Sequence, residues 1–193
     1  MPDKYASFSK LSTSEPEGAF QIELRQMGSP IALIAPHAGK IELGTSEVCR
    51  SVAGADLTYY LFQGCKPSSN SDLHITSSKF DEPQGLTVAQ TAKIVATFHG
   101  QSGSKPFVNV GGRLLDLGQI IIDLLTASGY AASRHDNPKL QGLDPNNICN
   151  RGSTAQGVQL EISRGLRDRL VADKHELEFF SSRIRAAFKQ YEF

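Results

Sequence analysis

Three side chains suited to metal chemistry fall where apolar runs reach their ends: His37 closes IALIAPH, His99 closes IVATFH, and Glu161 lies within VQLEIS. In open α/β sheets, ligands bind in the crevice beyond the carboxyl ends of the strands, so residues distant in sequence converge there. Glu42 follows in the turn PHAGKIELG, whose glycines let the chain double back and present a further ligand. Two histidines and a carboxylate, leaving one position for water, form the usual ligand set of a catalytic zinc. Such an ion polarises a carbonyl and brings the pKa of its water to roughly 7, where a nearby carboxylate can take the proton. Glu161 is the candidate for that carboxylate.

Plainer roles compete with each assignment. His37 could cap a strand and hydrogen-bond a turn, Glu42 could be a solvated turn carboxylate, and Glu47 stands close enough to rival Glu42 as a ligand. Glu47 also has a structural reason of its own, in a capping box after Thr45 or Gly44 and in the helix dipole. Ser77 and Ser78 have no visible base partner, which argues against a serine nucleophile. Cys149 suits a small buried apolar position, and His175 a solvated one.

The elements that must position these residues read as an α/β fold: a mixed, largely parallel sheet flanked by helices. GAFQIELRQMG predicts an edge hairpin strand, and SPIALIAPH a strand buried on both faces. TSEVCRSVAG predicts a capped helix, LTYYLFQG a strand ending at Gly64, and LHITSSKF an alternating strand. FDEPQGLTVAQT leads into a short helix, followed by strands KIVATFHG and FVNVGG. LLDLGQIIIDLLTASGY predicts a helix stopped at Gly129, and YAASRH a short strand. DNPKLQGLDPNNICNRGST, which includes the region after His135, is too long for an idle connection and predicts a functional loop. GVQLEIS is the last core strand, and the run from Arg164 to the C-terminus carries helical spacing with one face for the sheet.

The sequence has 193 residues, 39% hydrophobic and 21% charged, which suits one domain over residues 1–193. Lys plus Arg and Asp plus Glu number 20 each, so no net field draws the chain to nucleic acid or an anionic membrane. Three cysteines without paired spacing predict reduced thiols. The polar opening stretch lacks the apolar core of a secretory signal, so the expectation is synthesis as a soluble cytoplasmic protein, with release by lysis leaving the same signature.

The blocks APHAGKIELGTSE, YYLFQG, LHITSSKFDEP, FHG and NICNRGSTAQGVQLEISRGLR, in this order, resemble the bacteriophage poly-γ-glutamate hydrolase family from about Ile31 to Leu166. The resemblance implies a zinc carboxypeptidase-like fold and zinc-dependent cleavage of γ-glutamyl amide bonds in poly-γ-glutamate. It also implies that His37, Glu42 and His99 hold one zinc ion and that Glu161 is the general base. The family's GGRD-like sequence departs here, with Leu114 after Arg113, so Asp116 receives no role. A polyanionic substrate needs cationic anchors, and arginine's planar fork suits carboxylates. Arg151 is the first choice, with Arg164 and Arg113 beside it, while Asn150 and His74 are further candidate substrate contacts, a satisfied sheet histidine being an equal reading of His74. Arg164 could equally pair with Asp168. The protein is expected to act as a monomer, without nucleic-acid or membrane partners. The rival readings are an amidohydrolase of a small N-acyl glutamate or aspartate, and a non-catalytic phage or host-interaction module.

Overall fold

The computed structural model describes residues 3–191. Along the chain run α1 (Phe8–Ser14), β1 (Phe20–Arg25), β2 (Ile31–Gly39), α2 (Thr45–Ala53), β3 (Thr58–Gly64), α3 (Pro83–Thr91) and β4 (Ile94–Gln101). These are followed by β5 (Val108–Gly111), α4 (Leu115–Ala127), β6 (Ala132–Arg134), β7 (Gly157–Ser163), α5 (Arg164–Ala172) and α6 (Lys174–Gln190). One sheet of seven strands results, in the order β1-β3-β2-β4-β7-β5-β6. The pairs β2/β3, β2/β4, β4/β7 and β5/β6 are parallel, while β1/β3 and β5/β7 are antiparallel. The expected mixed, largely parallel α/β sheet is therefore the fold.

Both faces are covered, which explains why the central strands read as unbroken apolar runs. Ile31, Leu33, Ile94, Ala96, Phe98, Leu160 and Ile162 pack with Val48, Leu117, Ile121, Phe180 and Ile184 of the helices α2, α4 and α6. On the opposite face, Ile34, Tyr60, Phe62 and Val95 pack with Leu11, Leu73, Ile75, Phe80 and Val88. Among the described residues, no helix is long and apolar enough to cross a membrane.

Four local expectations are corrected. β1 is an edge strand, but it pairs with β3 rather than forming a hairpin with β2. LHITSSKF is not a strand: a 3-10 turn at Asn70–Leu73 leads into a loop laid over the sheet. Its alternation reflects burial of Leu73, Ile75 and Ser77 between more exposed neighbours, and both edges of β3 are already paired. The C-terminal run is two helices, broken at Asp173, whose carboxylate accepts hydrogen bonds from the backbone N–H of His175 and Glu176. At α2 the N-cap is Gly44, which has no side-chain cap, and the Thr45 hydroxyl donates back to the Glu42 carbonyl at 2.7 Å. Glu47 is thus an exposed first-turn carboxylate without a capping box.

Candidate metal centre

β2, β4 and β7 are adjacent and parallel, so their carboxyl ends open on one crevice. Strand alternation fixes which side chains reach it. On β7, Val158, Leu160 and Ile162 enter the helix-side core, leaving Gln159 and Glu161 to the other face. On β4 the same parity turns Thr97 and His99 away from Phe98, and His99 pairs in register with Glu161. β2 needs one adjustment. Its register against β3 shifts between Ala35 and Ala38, and these two residues, three apart, both pack into the same core. The irregularity inverts the alternation and aims His37 at the face carrying His99.

The turn after β2 brings Glu42 in. Gly39 has φ +64°, and a Cβ there would stand 2.8 Å from the Gly64 carbonyl oxygen, so glycine is required for the reversal. The Glu42 N–H then donates to the His37 carbonyl at 3.0 Å, and Glu42 Oε2 accepts from the Gly100 N–H at 2.7 Å.

The resulting cluster has metal-site geometry. His37 Nδ1 lies 3.2 Å from His99 Nδ1 and 3.3 Å from Glu42 Oε1, and His99 Nδ1 lies 4.0 Å from Glu42 Oε2. Donors on a tetrahedral ion with bonds of about 2.0–2.1 Å stand about 3.3 Å apart. The far ring nitrogens face outward: His37 Nε2 donates to the Ile75 carbonyl at 2.8 Å, and His99 Nε2 is 3.4 Å from Ser77 Oγ. The Ile75 bond fixes the His37 tautomer and leaves its Nδ1 lone pair facing the cluster, the usual outer-shell arrangement of a ligating histidine. His37, Glu42 and His99 therefore fit a divalent cation by donor chemistry and by spacing.

Electrostatics agree with that fit. Burial, then the charge of His37, holds the His99 ring down to about 3, so it is neutral and able to ligate. Burial opposes ionisation of Glu42, but His37, His99 and the Gly100 N–H outweigh it and hold the carboxylate down to about 2. Burial likewise works against a charged His37, yet Glu42 and the Ile75 carbonyl raise it overall, so a cation binding there would displace the proton from its Nδ1. Burial, followed by the charge of Glu42, pushes Glu161 up to about 8. Two carboxylates driven apart in this way have the signature of a ligand and a proton-transfer group.

The crevice, about 750 Å³, continues between these residues and the long loop after β6, including Lys139, Leu140, Gly142, Asp144 and Asn147. His74 lines it, stacked on His37 with ring centroids 3.9 Å apart and hydrogen-bonded to Asp3 at 2.8 Å. Of the remaining sequence candidates, none of Arg113, Arg151, Arg164 and Asn150 lines the crevice. Arg113 is exposed, and Arg151 is half-buried and closes the 3-10 turn at Ile148–Asn150. The Asn150 amide is buried as a strut, donating to the Gly142 and Asp144 carbonyls at 2.7 and 2.8 Å. Arg164 pairs with Asp168 at 2.6 Å and borders a neighbouring groove. His135 is buried away from the crevice lining, and His175 is exposed. Cys49 and Cys149 are buried free thiols, pushed up by that burial.

Sequence reasoning overlooked Gln159. Its Nε2 donates to Glu161 Oε1 at 2.9 Å and to the Leu140 carbonyl at 3.2 Å, while its Oε1 accepts from Asn147 at 2.9 Å. The signal was present: a polar residue two before Glu161 in an otherwise apolar strand shares its face. Ser77 also gained a partner, His99, that lies outside its local sequence.

Residues 5–192 match the family described as poly-gamma-glutamate hydrolase. The chain is 35% identical to UPF0714 protein YndL of Bacillus subtilis (strain 168) over 170 residues, 87% of this chain and 67% of YndL. It spans between 59% and 74% of the lengths of the curated Bacillus subtilis relatives it matches. A solved bacteriophage poly-gamma-glutamate hydrolase superposes with TM-score 0.92 at 32% identity, covering 98% of both chains. The zinc-free, apo form of YndL superposes equally well, with TM-score 0.92 at 32% identity over 97% of this chain and 98% of that one. The chain belongs to the poly-γ-glutamate hydrolase family.

Proposed function

We propose that this member of the poly-γ-glutamate hydrolase family is a zinc-dependent hydrolase of γ-glutamyl amide bonds, with His37, Glu42 and His99 holding one zinc ion and Glu161 as general base. The observation carrying this reading is the convergence of two histidine Nδ1 atoms and a carboxylate at 3.2–4.0 Å, beside a carboxyl group pushed up to about 8. A solved relative described as zinc-free supports the choice of zinc.

When bound, zinc would polarise the scissile carbonyl and bring the pKa of a water to roughly 7. The remaining work falls to the chain's own groups. Gln159 engages Glu161 Oε1 and so orients the carboxylate, leaving Oε2 to accept the water proton and return it to the leaving nitrogen. Once Glu42's charge is balanced, its repulsion of Glu161 weakens, and Glu161 ionises more readily at neutral pH. His74, held by Asp3 against His37, forms one wall beside the reacting carbonyl. Lys139 is the cation of the opposite wall and suits a substrate carboxylate. We assign these roles to one domain over residues 1–193, acting as a monomer.

Purified protein incubated with poly-γ-glutamate, with and without chelator and restored zinc, tests the reading by gel filtration. Zinc-restored shortening of the polymer is expected. Intact polymer in the presence of stoichiometrically bound zinc would overturn it in favour of a small N-acyl glutamate or aspartate substrate.

A further inference from the structure

The metal crevice is poor in cations for a site that meets a polyanion. Its lining carries the carboxylates Glu42 and Asp144, beside the proton-holding Glu161, against one lysine, Lys139. A second groove, of about 780 Å³, begins where the first ends: Glu42, Gly100 and Ser102 border both. There the balance reverses. Lys40, Arg164 and Arg167 line it against Asp168 and the shared Glu42.

Arg167 forms the floor. The residue is 4% exposed, and its guanidinium donates to the carbonyls of Ile162, Leu43 and Gln101, with no carboxylate within ion-pair distance among the described residues. Burying a charge without a directly paired counter-ion is costly, and the carbonyl dipoles and the more distant charge of Glu42 offset only part of that cost. Its surroundings are shaped to admit it: a Cβ on Gly100 would stand 2.6 Å from the guanidinium carbon, and one on Gly44 would stand 2.9 Å from Arg167 Cβ. Lys40 and Arg164 stand exposed at the rim, Lys40 Nζ donating to the Lys66 carbonyl and Arg164 Nε to Asp168. Positive charge thus runs from the buried floor to the rim, on the side of Glu42 away from the long loop.

We infer that this groove is a carboxylate-binding subsite, in which Lys40 and Arg164, over the buried charge of Arg167, hold a glutamyl residue of the polymer next to the one at the metal. The inference rests on the hydrolase reading above. A chain with one carboxylate per residue, drawn across the metal, leaves a crevice with a single lysine on one side and enters a groove lined by Lys40, Arg164 and Arg167 on the other. Opposite charge there supplies affinity and register for the polymer, and it does so electrostatically.

The test compares zinc-loaded wild type with the double variant Lys40→Glu/Arg164→Glu, which leaves the floor intact. A control, Lys174→Glu/Lys189→Glu, makes the same charge change at exposed positions of α6 that line neither groove. Zinc content and Tm are measured on all three, and kcat and KM on long poly-γ-glutamate and on the shortest oligomer that is cleaved. The groove variant is expected to keep its zinc and its kcat. Its KM on long polymer should rise by roughly tenfold at low ionic strength, more than on the short oligomer, with the difference shrinking as salt is added. A KM equal to wild type, or raised equally in the control, overturns the subsite while leaving hydrolysis intact. Wild type that binds zinc yet leaves polymer uncut overturns the hydrolase reading and the subsite with it.

Discussion

Replacing Glu161 with glutamine should make the metal-free protein more stable while removing its activity. Glu161 is 8% exposed, and burial followed by the charge of Glu42 raises its pKa from an ordinary 4.5 to about 8. The sign follows from proton linkage: a carboxyl raised in the folded state keeps a proton that the unfolded chain releases. Its contribution to stability is fully present below pH 4.5 and is lost as pH rises toward 8. Each pH unit in that window costs about 1.4 kcal/mol, so the wild-type penalty reaches about 3 kcal/mol by pH 7. Glutamine has no such titration, and its carbonyl can still accept the Gln159 hydrogen bond. In a domain of this size about 1 kcal/mol corresponds to about 2–4 °C, so Glu161→Gln should melt roughly 6–12 °C above wild type at pH 7 in chelator, and near wild type at pH 4.5. Melting curves of both proteins across this pH range decide the matter, and restored zinc should narrow the gap. Hydrolysis by the zinc-loaded variant should fall by about 10²–10⁴-fold, the usual worth of a general base. A melting difference independent of pH would refute the buried, proton-holding carboxyl, whatever the activity did.

Two further substitutions probe the centre. Glu42→Gln keeps an oxygen but loses the charge facing both histidines, and should weaken zinc binding by at least about 100-fold, since outer-shell partners alone account for about 10–100-fold. Competition against a chromogenic chelator measures this, and an unchanged affinity would remove Glu42 from the ligand set. Gln159→Leu removes the donor to Glu161 and the bridge to Asn147 and Leu140, and should lower kcat by up to about 10²-fold with zinc affinity retained. Parallel kinetics and zinc titration test it, and a loss of zinc equal to the loss of kcat would contradict a role confined to orienting the base.

What the sequence made legible follows from period and chemistry. Strands buried on both faces announce themselves as apolar runs, and a histidine or glutamate interrupting such a run at its carboxyl end stands where the sheet opens on its crevice. His37, His99 and Glu161 were readable on those grounds, and the turn glycines around Glu42 supplied the fourth member. Long-range partners left no periodic trace. LHITSSKF alternates because every second side chain is covered by the fold, and covering in a loop yields the same pattern as a half-buried strand. Arg151, ten residues before Glu161, stays outside the crevice because Asn150 and the 3-10 turn it ends are spent on closing the loop rather than facing the strands, and Arg113, exposed after β5, does not line it either. Arg167, by contrast, reads as an ordinary helical charge, six residues past Glu161, and only the strand-to-helix turn at Ser163 swings its guanidinium under the Glu42 turn. Adjacency in sequence is therefore a poor guide to which arginines line the crevice, whereas the register of β2, β4 and β7 is a good guide to which side chains converge in it. Strands transmit position through a fixed period, and loops transmit it through individual hydrogen bonds that no spacing encodes.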